Sequence, residues 1–132
     1  MNGNGFKFGS KYTKQSPDVV RVADYSIAFD HKVKGFDNNS SQKCTGYISN
    51  CVAFNNLINY QLPYTFAKWS NNWSWNAKNT DQYLQNQTLK TPKDKNNAMK
   101  QVCSVRDAII KNCAANTFDD NINFDNVIKS LV

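Results

Sequence analysis

Through the first 88 residues, apolar and polar positions alternate in short runs that end in asparagine, aspartate or glycine. Alternation with period two over three to six residues predicts strands rather than helices. Three of these runs end alike: YSIAFD (25–30), NCVAFNN (50–56) and NWSWN (72–76). Aligned on Phe29-Asp30, Phe54-Asn55 and Trp75-Asn76, they recur after 25 and then 21 residues. Each is followed by a polar turn and a further short strand such as Gly35–Asp37. A period of this size predicts a stacked repeat, here an all-β parallel β-helix of about three coils with three short strands and three turns per rung. Equivalent side chains would then form ladders ~4.8 Å apart. Ile27, Phe29, Val52 and Phe54 would stack into the core, with Asp30 and Asn55 at turns that their side chains can bond. A small antiparallel β-sandwich with asparagine-rich loops accounts for the same alternation. The match in residue type as well as spacing favours the stacked repeat.

The period changes after residue 88. Thr91-Pro92-Lys93-Asp94 reads as a helix start, with Thr91 as N-cap and Pro92 in the first helical position. Met99, Val102, Cys103, Ile109, Ile110 and Cys113 follow at helical spacing, and Phe124, Val127, Ile128 and Leu131 predict a second short helix. The chain therefore divides into sheet coils over 1–88 and a helical tail over 89–132, a fitting cap for the open end of a stack.

Composition adds a partner class. The chain has 132 residues, a net charge of +6 and a pI near 9.2, which favours an acidic partner: nucleic acid, an anionic membrane surface or an anionic polysaccharide. Its 16 basic residues are spread without a run, and no nucleic-acid-binding module is present, so nucleic acid is the weakest of the three. No stretch approaches the ~20 apolar residues of a membrane span. The first residues lack the apolar region of a signal peptide. Asparagine occupies 20 positions, as turn-rich repeats require. Cys44, Cys51, Cys103 and Cys113 match no zinc spacing, and His31 is the single histidine, so no metal site is expected from these residues. Cys103 and Cys113 lie about 15 Å apart on one helix, too far to bridge. A Cys44–Cys51 disulfide stays open beside the preferred reading of Cys51 as a stacked interior residue.

The opening GNGFKFG (3–9) sets Lys7 between Phe6 and Phe8 inside a glycine fence. Taken alone, Lys7 is either a solvated lysine on an outward strand face or a positioned base. Together with IAFDHKVKGFDNNS (27–40) and NCVAFNNLINYQL (50–62), the segment resembles pectate lyases of polysaccharide lyase family 9. The resemblance covers residues 2–76 in order and approximate spacing. It departs at Ser10 and at Tyr25-Ser26, and residues 77–132 match nothing in the family.

The resemblance implies a right-handed parallel β-helix and calcium-dependent β-elimination of polygalacturonate, with Lys7 as the proton-abstracting base. The base removes the C5 proton of a uronate while the C4 oxygen leaves, and calcium on the carboxylate stabilises the developing charge. The family's calcium-binding aspartates precede this lysine by more residues than the chain has, and neither Asp37 nor Asp119-Asp120 replaces them. A truncated chain with little activity alone is therefore expected. The complete family protein would be secreted, whereas this chain carries no signal peptide; a monomer acting on pectate, away from nucleic acid and membranes, is implied.

A second expectation needs no chemistry: a non-catalytic binder of acidic polysaccharide, or a purely structural repeat protein. Lys11, Lys14, Lys32 and Lys34 would pair with uronates, and Trp69, Trp73 and Trp75 could stack on sugar rings. Trp73 and Trp75 share one strand face, for which core packing is the preferred reading.

Overall fold

A computed structural model describes residues 3–9, 20–38, 45–63, 68–83, 87–117 and 124–132. They fall into two compact units, Met1–Lys90 and Thr91–Val132.

The first unit holds ten strands: β1 (Phe6–Lys7), β2 (Val20–Asp24), β3 (Ile27–Phe29), β4 (Lys34–Asp37), β5 (Thr45–Ser49), β6 (Val52–Phe54), β7 (Ile58–Leu62), β8 (Lys68–Ser70), β9 (Trp73–Trp75) and β10 (Gln82–Tyr83). Every third strand pairs, always in parallel, which gives three sheets ordered β1-β4-β7-β10, β2-β5-β8 and β3-β6-β9. The 25- and 21-residue repeat is the register of the third sheet: Phe29 opposite Phe54, and Phe54 opposite Trp75.

Local backbone chemistry explains why these strands are so short. β3, β6 and β9 are each bracketed by left-handed residues: Tyr25 and Asp30, Asn50 and Asn55, Asn71 and Asn76, with φ between 47° and 57°. Asparagine and aspartate tolerate that region and can bond nearby backbone there, so they turn the chain without glycine. The strands between two such corners stop at three residues.

The core corrects the expected facing of the third sheet. Ala28 and Ala53 pack with Phe8, Phe36, Ile48, Cys51 and Tyr60 in one buried cluster. Because strand side chains alternate, Phe29, Phe54 and Trp75 lie on the opposite face, stacked at 5.1 and 4.7 Å. Ile27 and Val52 share that face, so these four residues pack on the other side of the sheet from this cluster, with Val52 and Phe54 buried as expected and Ile27 and Phe29 half-buried. Only small side chains fit where the sheets approach. A Cβ added at Gly35 would stand 2.6 Å from the Asn59 carbonyl and 3.3 Å from the Ala28 Cβ. The central aromatic column comes from the first sheet instead, with Phe6, Phe36 and Tyr60 spaced at 5.0 Å.

Buried amides link the repeats. Asn72 accepts the Cys51 N–H at 3.1 Å and donates to the Ile48 carbonyl at 3.0 Å. Asn56 accepts from the His31 N–H and donates to the Ala28 carbonyl. Asn59 donates to Ser74 Oγ and the Trp75 carbonyl. All but the bond to Ser74 Oγ satisfy a backbone group that a corner would otherwise orphan.

The second unit is helical, with α1 (Lys95–Ala115) and α2 (Asp125–Leu131) packed together. The cap of α1 is Asp94 rather than Thr91, because the Asp94 carboxylate accepts the Asn97 N–H at 2.9 Å. Asn116 closes the helix in the left-handed region, its N–H bonded to carbonyls of the last turn. Ala98, Val102, Val127 and Leu131 are buried. The predicted stripe is thus covered only in its first half: Ile109, Ile110 and Cys113 are exposed.

The expected class is corrected accordingly. The chain is a small α/β protein of three short parallel sheets and two helices, not an all-β right-handed parallel β-helix with a helical cap. A sequence period reports which strands pair, but it does not require the sheets to form one coil. The 21-residue α1, packed with α2 in a compact unit of its own, takes the chain out of the all-β class.

Candidate functional site

Lys7 ends β1, the edge strand of the first sheet, and is exposed. Its side chain stands in a row of register partners, Lys7, Asp37, Gln61 and Gln82. Gln61 donates to the Gln82 amide oxygen at 3.1 Å, so the amides chain along the row. Asp37 is 1% exposed, and its carboxylate accepts from Lys34 Nζ at 3.3 Å and from Asn4 Nδ2 at 2.9 Å. A carboxylate this buried needs such partners.

The five lysines singled out by sequence therefore have different fates. Lys7 is exposed, and Lys32 is exposed in the turn before β4. A Cβ on Gly3 would stand 2.8 Å from Lys32 Cβ, which sets Lys32 beside the start of the β1 segment. Gly3 and Lys7 are four residues apart, roughly 13 Å of extended chain, so the two cations flank one edge. Lys34 is committed to Asp37 and is not a free cation. Lys11 and Lys14 lie outside the described residues, as does Cys44.

The tryptophans are placed for packing. Trp73 and Trp75 are 6% and 4% exposed. Trp69 is half-buried and donates to the Thr88 carbonyl. Lys90 sits over the Trp73 ring at 5.4 Å and donates to Asn71 Oδ1 at 2.9 Å.

No described group of three or more His, Cys, Asp or Glu side chains could hold a metal ion. Cys51 is a free thiol, and burial, opposed in part by the Ser26 backbone, pushes it up to about 11, so it stays protonated and unreactive. Burial, reinforced by Cys51 and Asp81, raises Tyr60 in the same direction, and its hydroxyl donates to the Trp73 carbonyl. Neither group has the makings of a nucleophile. No described helix is long and apolar enough to cross a membrane.

Sequence reasoning missed one residue here. Asp37 neutralises a lysine counted as free: Lys34, at the other end of β4, reaches its carboxylate at 3.3 Å.

No family model, no curated protein and no solved structure matches the chain.

Proposed function

We propose that the chain binds an acidic polysaccharide of the polygalacturonate class without cleaving it. The observation that carries this reading is the pair of exposed cations, Lys7 and Lys32, flanking one sheet edge beside the Gln61–Gln82 amide row. Ammonium groups attract uronate carboxylates, and amides offer both donors and acceptors to sugar hydroxyls. The overall charge of +6 adds a broad field of the same sign. Binding is expected to weaken as salt rises. Isothermal titration of polygalacturonate into the wild-type chain and into a Lys7→Gln/Lys32→Gln double variant tests it. The double variant is expected to bind about tenfold more weakly. Equal affinities would remove these lysines from recognition.

A second reading, β-elimination with Lys7 as base, is supported by the GNGFK resemblance and the exposure of Lys7. Against it stands a requirement of the chemistry. A lysine base needs burial or a neighbouring cation to lose its proton, and the strand partner of Lys7 is Asp37. Release of unsaturated uronides by the wild type but not by Lys7→Ala would establish it.

A further inference from the structure

The helical unit holds a cavity of about 440 Å³, lined by Asn97 and Gln101 of α1 and by Asn126, Lys129 and Ser130 of α2. Helical spacing puts them there. Ala98 and Val102 on α1, and Val127 and Leu131 on α2, are buried, and each pair stands one helical turn apart. Asn97 and Gln101 each precede a member of the first pair, and Asn126 and Ser130 each precede a member of the second. Each helix thus carries a polar pair along one flank of its buried stripe. Polar pairs so placed can bond across the seam, because a carboxamide holds both donors and an acceptor. Here they do not. Among the described residues, the side chains of Asn97, Gln101, Asn126 and Lys129 make no hydrogen bond. Ser130 Oγ donates within its own helix, to the Val127 carbonyl at 2.6 Å. The cavity keeps the two pairs apart and leaves their polar groups to water or to a bound molecule.

The lining restricts what that molecule can be. An apolar ligand would strip water from these groups and give them no partner. A compact anion would find one ammonium, Lys129, against two carboxylates: Asp94, bonded to the Asn97 N–H, and Asp125, next to Asn126. What fits is a neutral molecule rich in hydroxyls, each of which gives one hydrogen bond and accepts others. The three carboxamides answer such hydroxyls as donors and acceptors, the Ser130 oxygen accepts, and the Lys129 ammonium donates. The volume falls within the roughly 300–1,000 Å³ of small-molecule sites. We propose that the cavity between α1 and α2 binds a neutral mono- or disaccharide, held by Asn97, Gln101 and Asn126, with Lys129 donating to a sugar hydroxyl. This site is built within the helical unit and does not depend on the acidic-polysaccharide reading.

The test follows the side-chain amide resonances of Asn97, Gln101 and Asn126 by NMR in the isotope-labelled full chain. Galactose, glucose and lactose are the neutral probes, and galacturonate and inorganic phosphate are the anionic ones. At least one neutral sugar is expected to shift all three amides, with a Kd of about 1–10 mM. Gln101→Leu sets an apolar side chain against the sugar and is expected to weaken that binding about tenfold, with a thermal melt showing that the variant folds. Lys129→Gln keeps a donor without the charge and is expected to bind within about threefold of wild type. Wild-type amides that stay unshifted up to about 100 mM of every neutral sugar overturn the site. Undiminished binding by folded Gln101→Leu overturns it as well. Shifts with galacturonate or phosphate but with no neutral sugar overturn the neutral class of ligand.

Discussion

Phe54 in the sheet unit lies between Phe29 at 5.1 Å and Trp75 at 4.7 Å, so two neighbours lose contacts if it is removed. The helical unit has no such ladder among its described residues. Its burial rests on Ala98, Val102, Val127 and Leu131, and one half of α1 leaves Ile109 and Ile110 in solvent. The sheet unit also carries buried amides that tie one repeat to the next, as Asn72 does between the Cys51 N–H and the Ile48 carbonyl. Repetition thus concentrates stability in side chains with counterparts on both sides, whereas a two-helix contact offers few positions at which a single change matters.

Phe54→Ala should show the largest effect. The ring is fully buried, and its loss is expected to destabilise the sheet unit by about 3–5 kcal/mol, read from denaturant midpoints with the near-ultraviolet aromatic signal. A loss under about 1 kcal/mol would mean the column collapses to fill the gap.

Alkali should act next, on the sheet unit. The Cys51 thiol titrates near 9.0 in the unfolded chain and at about 11 when folded. Below pH 9 both states hold the proton and the contribution is fully present. As pH rises toward 11, the unfolded chain releases its proton while the folded chain keeps it, so stability falls, by up to about 3 kcal/mol. Tyr60 moves the same way at higher pH. Denaturant midpoints across that range should fall less steeply for Cys51→Ala than for wild type. Parallel slopes would show that the thiol does not titrate in this window.

The smallest effects belong to the helices. Val102→Ala is expected to cost about 1–2 kcal/mol in the helical far-ultraviolet signal. Ile110→Ala, at a side chain 59% exposed, is expected to cost less than about 0.5 kcal/mol. A larger loss at Ile110 would show that α1 buries that side chain against something.

Much of the sheet unit was legible because alternation and corner chemistry are local. The aromatic–Asn/Asp spacing gave the pairing of Phe29, Phe54 and Trp75, and an asparagine-rich turn predicts the left-handed corners. Alternation does not say which of two strand faces turns inward. Ala28 and Ala53 do so because the sheets leave room only for a methyl group, a fact of tertiary packing. The class was misread because a period specifies neighbours and not the shape they close into. The site was legible to a similar depth: Lys7 and Lys32 are exposed, but the capture of Lys34 by Asp37 is a contact within β4 that the alternation of strand faces does not predict. Thr91 reads as the cap because it precedes a proline, whereas the N–H that is capped, that of Asn97, is bound by Asp94.

The pairing pattern has a kinetic consequence. All strand partners lie between 21 residues apart (Gln61 and Gln82) and 30 apart (Phe6 and Phe36). The entropy of loop closure grows only slowly with length, so every pairing faces nearly the same entropic barrier. No single closure then dominates the search, and folding can nucleate on any adjacent pair of repeats and spread outward. The two-residue strands β1 and β10, paired on one side only, would be last to form and first to open. Amide hydrogens should accordingly exchange fastest there and slowest in β5, β6 and β7, in the middle of each stack.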